Sequence, residues 1–549
     1  MTNPSNDHGV PSPFDGARRF FGGGAEFPNG IAAVEPLRAP LAPRYALLLA
    51  LMLAALAPRL VMALLIPTVC SDGTTYIAAA EAIERDGLRC GAGYHLNLYP
   101  LILTGLHRVG FSWEIAGKAW GVLCSVLVVA PLFGWVRRQF DDRVGAFACL
   151  LYAAHPKLIE WAPELIREQT FWLFFVSGLY FSWRAAAEVR FTHYFAAALA
   201  LAAATFTRFE GLFLFIPLVY WTTARFFSLR SQRGRLVAIF SLTFLAAPCA
   251  LLLVQIVWLQ QAPLAQFFNS GPVERLISLA RSFLGGGDAN VAAYEFVVPG
   301  VRPGPLSLTV IGKTCQVAAR GLTAPFGVLL LLGLISQGRR SLKSDRLPAV
   351  FLALTTIGAI WVHTWYAGLA SSRYILTVAL FSTGTAAVGL LESCRLLAAA
   401  AGKVRIPSQP RWAVAALAAG MFIFGCCDAF NTNYAGRVDK AALGTWIRER
   451  CGEQCMIYGS EEQLDLIAYY AHARCVRLPT NRATIHIDQE VNLIRPDIVV
   501  LSNPPLSADA CRALTDSATH LGMSEVDVPK SIMRRPIVMT ADKDRSRPR

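Results

Sequence analysis

Residues 43–87 read PRYALLLALMLAALAPRLVMALLIPTVCSDGTTYIAAAEAIERDG. The first part, 43–66, is almost wholly apolar and long enough to cross a bilayer, which takes about 20 such residues. Directly after it come Asp72 and a helix-forming stretch to Gly87, with Ile77, Ala80 and Ile83 available for one apolar side. The pattern is a spanning helix, then a carboxylate at the membrane boundary, then a helix lying on the surface.

Working outward, further apolar runs lie at 116–136, 144–158, 169–187, 191–207, 211–227, 237–259, 322–337, 347–366, 374–393 and 412–430, which makes eleven spans. The composition agrees: 54% of the 549 residues are hydrophobic and 16% are charged, whereas soluble domains carry about 25% charged residues. A wholly soluble enzyme, a disordered chain and a coiled coil are excluded. The chain reads as a polytopic all-α membrane protein with a smaller soluble domain.

Alternate short loops are basic: Arg137, Arg138 and Arg143; Arg184 and Arg190; Arg225, Arg230, Arg233 and Arg235; Arg339, Arg340, Lys343 and Arg346; Arg395, Lys403, Arg405 and Arg411. Lys and Arg in short loops favour the cytoplasm. The N-terminus is therefore expected inside, residues 431–549 outside, and the protein in the cell (inner) membrane. The net charge of +14 is a topology signal; dispersed over loops, it makes no nucleic-acid surface. Residues 1–42 are rich in Gly, Pro and charge and read as a disordered cytoplasmic tail.

Three outward segments exceed simple turns: 67–115, 260–321 and the tail after 430. The tail alternates strand-like pieces (CMIYGS, CVRLP, DIVVLSN) with helix-like ones (KAALGTWIRER, EEQLDLIAYYAHA, ADACRALTDSATHLG), the pattern of a small α/β domain. Outside the cytoplasm disulfides are allowed, and Cys70–Cys90 and Cys451–Cys455 are candidate pairs.

No Walker loop, HExxH or GxSxG occurs. The informative residues are acids and arginines at the outer ends of spans, where charge is costly and usually functional. Asp72 is either a helix N-cap or a carboxylate facing a lipid-borne substrate. In HPKLIEWAPELIRE, 155–168, Glu164 and Glu168 are four apart and so share a helical face; Glu164 could equally pair with Arg167. TRFEG, 207–211, sets Arg208 and Glu210 between two apolar runs, and HTWYAGLASSRY, 363–374, puts His363 and Arg373 at another outer turn. Arginine suits phosphate because its planar fork donates two hydrogen bonds and stays charged.

These features resemble the membrane glycosyltransferases of the C-type fold, in the dolichyl-phosphate-mannose–protein mannosyltransferase superfamily, which includes the lipid A aminoarabinose transferase. The match is carried by Asp72-Gly-Thr-Thr-Tyr76 after the first span, by Tyr99-Pro100-Leu101, by the Pro156–Glu168 segment, and by Arg373-Tyr374 opening a late span before an α/β tail. The TRFEG turn is similar too. The resemblance implies a polyprenyl-phosphate sugar donor, transfer on the outer face, and Asp72 and Glu168 as the two site acids. Relatives often carry paired acids in the first loop, whereas here Gly73 follows Asp72.

The expected chemistry is an inverting single displacement. Asp72 serves as base, Arg208 and Arg373 bind the donor phosphate, and Glu168 orients the acceptor. Tyr76, Tyr99, Glu164, Glu210, His363 and Tyr374 are substrate-binding candidates. No cofactor is required; Asp72, Glu168 and a histidine are the groups that could hold a divalent metal. The acceptor is a lipid, polysaccharide or protein hydroxyl. The alternatives are a transporter or flippase of lipid-linked sugars, and a non-catalytic envelope-assembly subunit.

Overall fold

The structure is a computed structural model that describes residues 44–87, 97–228, 233–241, 307–337, 347–367, 371–403, 410–452, 454–459, 463–477, 496–501, 515–516, 518–521, 523–528 and 536–541. The helices run α1 (Arg44–Leu65), α2 (Ser71–Asp86), α3 (Leu98–Arg108), α4 (Trp113–Leu127), α5 (Val129–Gln139), α6 (Asp142–Ala154), α7 (Pro156–Glu160), α8 (Glu168–Glu188), α9 (Phe191–Thr207), α10 (Phe215–Ser228), α11 (Leu308–Leu322), α12 (Ala324–Gln337), α13 (Leu347–Ala367), α14 (Leu376–Lys403), α15 (Pro410–Phe430) and α16 (Ala435–Cys451). Every apolar run read from the sequence coincides with helix except 237–259, most of which lies outside the described residues.

The reading of eleven spans is met in part among the described residues. Among the described residues four helical stretches are long and apolar enough to cross a membrane: Tyr45–Leu65, Trp113–Gln139, Leu376–Leu397 and Val414–Cys451. A fifth is counted if α11 and α12, bent by 96°, act as one. Length explains part of the shortfall, while α8, with 21 residues, carries Glu168, Arg184 and Glu188. At 1.5 Å per residue α6, with 13 residues, covers only about 20 Å, against a hydrocarbon core of about 30 Å. The α11 helix also corrects the expected outer loop 260–321, whose last part is helical and turns into α12 through Thr323.

The bundle core gathers Tyr152, Phe171, Trp172, Phe175, Leu179 and Trp135. The outward face keeps Leu49, Leu53, Leu199, Leu331 and Ile423 exposed, as lipid contact demands. Small residues allow close helix approach. A Cβ on Gly389 of α14 would stand 1.8 Å from the Leu329 carbonyl oxygen of α12, so no larger residue fits there. Arg59, inside α1, is fully buried; its guanidinium donates to the carbonyls of Ala55 (2.8 Å) and Tyr152 (3.3 Å) and stacks on the Tyr152 ring.

The tail forms a five-stranded sheet in the order β2-β1-β3-β5-β4. The strands are β1 (Met456–Gly459), β2 (Arg474–Arg477), β3 (Ile498–Leu501), β4 (Met523–Glu525) and β5 (Ile537–Ala541). β1 pairs in parallel with β2 and β3, while β5 runs antiparallel to both β3 and β4. Alternation along the strands sends Ile457, Ile498, Val500 and Val538 toward α16 and α17 (Leu464–Ala471), and Tyr458, Val499 and Met539 to the opposite face. β4 and β5 were not among the strands read from the sequence. Most of ADACRALTDSATHLG lies outside the described residues. Cys90 of the candidate pair Cys70–Cys90 lies outside the described residues, and Cys455 carries no disulfide, so Cys451–Cys455 is not formed.

Candidate active site

Four chain breaks deliver the charged residues to one end of the bundle. α1 stops at Leu65 ahead of Pro67, and α2 begins with Asp72 in its first turn, where a carboxylate meets the positive helix end. His155 is extended because Pro156 follows, and Pro156 opens α7. Turns at 161–167 then lead to α8, which opens on Glu168. Arg208 is extended between α9 and a 3-10 helix (Phe209–Leu214) that carries Glu210. Arg373 lies in the turn preceding α14.

These side chains join into one alternating network. The Arg373 guanidinium donates to the Asp72 carboxylate, and its Nε lies 3.3 Å from Glu168 Oε1. That same Oε1 accepts from Arg208 Nη1 at 2.6 Å. Arg208 also grips Glu210 with Nη2 (2.5 Å) and Nε (3.3 Å). The order is Asp72–Arg373–Glu168–Arg208–Glu210, three acids and two arginines. Both guanidiniums stand over the Tyr374 ring, at 4.9 Å for Arg208 and 5.3 Å for Arg373. The chain is buried at its middle and opens toward both ends: the Glu168 side chain is 3% exposed, Glu210 35% and Asp72 45%. Glu168 Oε2 is buried without a hydrogen-bond partner.

The electrostatics follow from this packing. Burial pushes Glu210 up, but Arg208 more than offsets it and holds the carboxyl down at about 2. Burial raises the Tyr76 phenol, with Arg167 and Arg208 opposing and Glu168 and Asp72 adding. The Tyr76 hydroxyl thus lies among these four charged groups. Tyr99 lies behind it, fully buried, with its ring edge-to-face on Tyr76 at 5.2 Å.

Several sequence expectations are corrected here. Asp72 is not the N-cap of α2; Cys70 holds that position and makes no side-chain cap bond. Glu164 and Glu168 do not share a helical face, because 161–167 is turn rather than helix. Glu164 pairs not with Arg167 but with Arg437 of α16, at 2.6 Å. His363 lies within α13 rather than at the outer turn. Arg208 and Glu210, both in the TRFEG turn, pair with each other. Sequence reasoning missed Arg167 as a third cation beside Tyr76 and Glu210; its signal was its place directly before Glu168. Among the described residues no three of His, Cys, Asp and Glu come together as a metal-holding group, and the Arg373 guanidinium bonds Asp72 and approaches Glu168, where a shared ion would sit.

Residues 98–258 match the dolichyl-phosphate-mannose-protein mannosyltransferase family. No curated protein sequence matches the chain. Among solved structures, ArnT from Cupriavidus metallidurans bound to undecaprenyl phosphate is 16% identical and superposes with a TM-score of 0.56, over 93% of this chain and 100% of that one. The chain has the C-type glycosyltransferase fold. Other members with this fold include the apo state of the same ArnT, at a TM-score of 0.52 and 16% identity over 91% of this chain and 98% of that one. The Archaeoglobus fulgidus oligosaccharyltransferase in its apo form is 13% identical with a TM-score of 0.50, covering 83% of this chain and 69% of its own. In keeping with that fold, four helical stretches among the described residues are long and apolar enough to cross a membrane.

Proposed function

We propose that this protein is a membrane glycosyltransferase that moves a sugar from a polyprenyl-phosphate donor to an acceptor hydroxyl at the outer membrane face. The observation that carries the reading is the alternating network from Asp72 to Glu210, buried at Glu168 and open at Asp72. Its fold is shared with an ArnT solved with undecaprenyl phosphate bound, which supports the donor class.

The chemistry needs no nucleotide. The acceptor oxygen attacks the anomeric carbon, the bond from that carbon to the phosphate oxygen breaks, and the polyprenyl phosphate leaves with the electron pair. Asp72 takes the acceptor proton, and Arg373 and Arg208 stabilise charge growing on the phosphate. One displacement inverts the anomeric centre. The network makes this cooperative. Three acids face two arginines, so an arriving phosphate competes with a carboxylate for guanidinium. Asp72, at the exposed end with Arg373 as its partner, is the acid most easily released, and release turns it into a free proton acceptor. Glu168, held by both arginines, keeps them in place and so orients the acceptor and donor.

The test is purified protein in lipid vesicles supplied with a panel of polyprenyl-phosphate sugars and candidate acceptors. Release of polyprenyl phosphate with formation of a glycoside is the expected result. Facilitated movement of the intact lipid-linked sugar across the vesicle, with no bond broken, would replace the reading by a flippase.

A further inference from the structure

The C-terminal domain touches the acid site. Arg437, in the first turns of α16, donates to Glu164 Oε1 at 2.6 Å, and the Glu164 side chain is 2% exposed. Glu164 belongs to the 161–167 turn that ends on Glu168. The turn is tied to the start of α8 by the Gln169 amide, which donates to the carbonyl oxygens of Trp161 and Glu164. It is also wedged against α2 and α4. A Cβ on Gly73, the neighbour of Asp72, would lie 2.9 Å from Leu165 Cβ, and one on Gly121 would lie 2.3 Å from the Ala162 carbonyl oxygen. A second tie runs through Tyr470 of α17. Its hydroxyl accepts from the Val69 backbone N–H at 3.1 Å and donates to Glu114 at 3.2 Å, beside a buried cluster of Val69, Ile77, Leu165 and Leu466.

One segment thus holds Glu168 at its end and presses on the turn that bears Asp72, and its own buried acid is held by a cation from another domain. Burial pushes Glu164 up, and Arg437, helped by the Cys70 thiol, opposes that; without Arg437 the buried carboxylate would keep no cation partner at this turn and only the neutral Cys70 thiol beside it. We propose that Arg437 is a positioning residue through which the α/β domain sets the spacing of Asp72 and Glu168. The domain is then part of the catalytic apparatus and not only a platform for acceptors. The inference rests on the glycosyltransferase reading for its kinetic consequence and on geometry alone for its structural one.

The experiment uses the full chain in lipid nanodiscs as wild type, Arg437→Met, Arg437→Lys and the double variant Arg437→Met/Glu164→Gln. Hydrogen exchange is followed at 71–77, 161–168 and, as a control, 376–403. Transfer from a polyprenyl-phosphate sugar is measured in parallel. In Arg437→Met, exchange at 71–77 and 161–168 should rise at least about tenfold while 376–403 stays unchanged. Its kcat should fall about 100-fold, as for an angstrom-scale misplacement, with donor KM little altered. Arg437→Lys should recover most of the rate. The double variant leaves no buried charge, so it should regain wild-type thermal stability yet keep the low kcat. Unchanged exchange at 161–168 in Arg437→Met, or a double variant with wild-type kcat, overturns the proposal. If the wild type transfers no sugar, the glycosyltransferase reading fails, and the exchange data alone decide whether Arg437 orders the turn.

Discussion

Asp72→Asn separates chemistry from architecture because the structure assigns the two site acids opposite environments. The Asp72 side chain is 45% exposed and its partner Arg373 is 20% exposed. A pair so open to solvent contributes about 0–1 kcal/mol. No helix cap is lost, since Cys70 occupies the cap position. Asp72→Asn should therefore fold normally and unfold within a few degrees of wild type. If Asp72 is the base, its loss costs about 100- to 10,000-fold in rate, equal to about 2.7–5.5 kcal/mol of barrier. The kinetic cost exceeds the stability cost by several-fold. Glu168→Gln should behave differently. Glu168 is 3% exposed and serves both Arg208 and Arg373, so neutralising it strands buried guanidinium charge at a cost of about 3–5 kcal/mol. Its rate loss should come with a visible drop in melting temperature. The assay is single-turnover transfer from a radiolabelled polyprenyl-phosphate sugar in proteoliposomes, alongside thermal unfolding of each variant. Near-wild-type turnover by Asp72→Asn, or a rate loss matched by equal destabilisation, would refute the assignment of Asp72 as base.

Arg373→Lys keeps the charge but loses the fork that reaches Asp72 and Glu168 together, so donor KM should rise about tenfold or more in steady-state transfer assays. Glu210 has its carboxyl held at about 2 by Arg208 against about 4.3 when unfolded. Its stabilising contribution is complete above about pH 4.3 and is lost as pH falls toward 2, so melting curves of wild type and Glu210→Gln should differ at pH 6 and converge near pH 2. Gly389→Leu drives a side chain into the α12 backbone at Leu329 and should cost at least about 1–3 kcal/mol, read as loss of folded protein in a detergent melt. Impermeant thiol labelling should reach a cysteine at position 440 and miss one at position 232 from outside the cell; the reverse pattern would put the acid site on the wrong face.

How much of this was legible depended on whether a signal was local. Apolar runs are local, and helices follow them. The α11 helix was missed because LTVIGKTCQVAARGL mixes Lys313 and Arg320 into an apolar pattern, and its bend into α12 is a tertiary fact. The four-residue spacing of Glu164 and Glu168 suggests helix over 161–167, but Pro163 inside it lacks the N–H a helix interior needs, and the segment is turn. β4 is only three residues long, while the β-branched IVMTA of β5 is a strand signal cut short by the charged stretch that follows. Arg59 stood in the open as an arginine within an apolar span, a costly residue that demands a partner; only the structure supplies that partner, the end of α6.

For the site, the sequence identifies the participants and the structure identifies their couplings. Asp72, Glu168, Arg208, Glu210 and Arg373 stand out as charges at span ends, and alternation of inside and outside loops already brings them to one side. What alternation cannot supply is order. Arg208 could have paired with Glu210 alone, as nearest neighbours in sequence do; instead it also holds Glu168, 40 residues away. Arg373 reaches Asp72 across 301 residues. Arg437 resembles any surface arginine of a soluble helix until Glu164 is found beneath it, 273 residues distant. Each of these links joins a residue that the membrane topology places to one that only packing can place. The graded exposure from Glu168 to Asp72 arises from the same packing. It makes one acid a fixed counter-charge and leaves the other free to change partners, a difference that two carboxylates of equal sequence standing could never reveal.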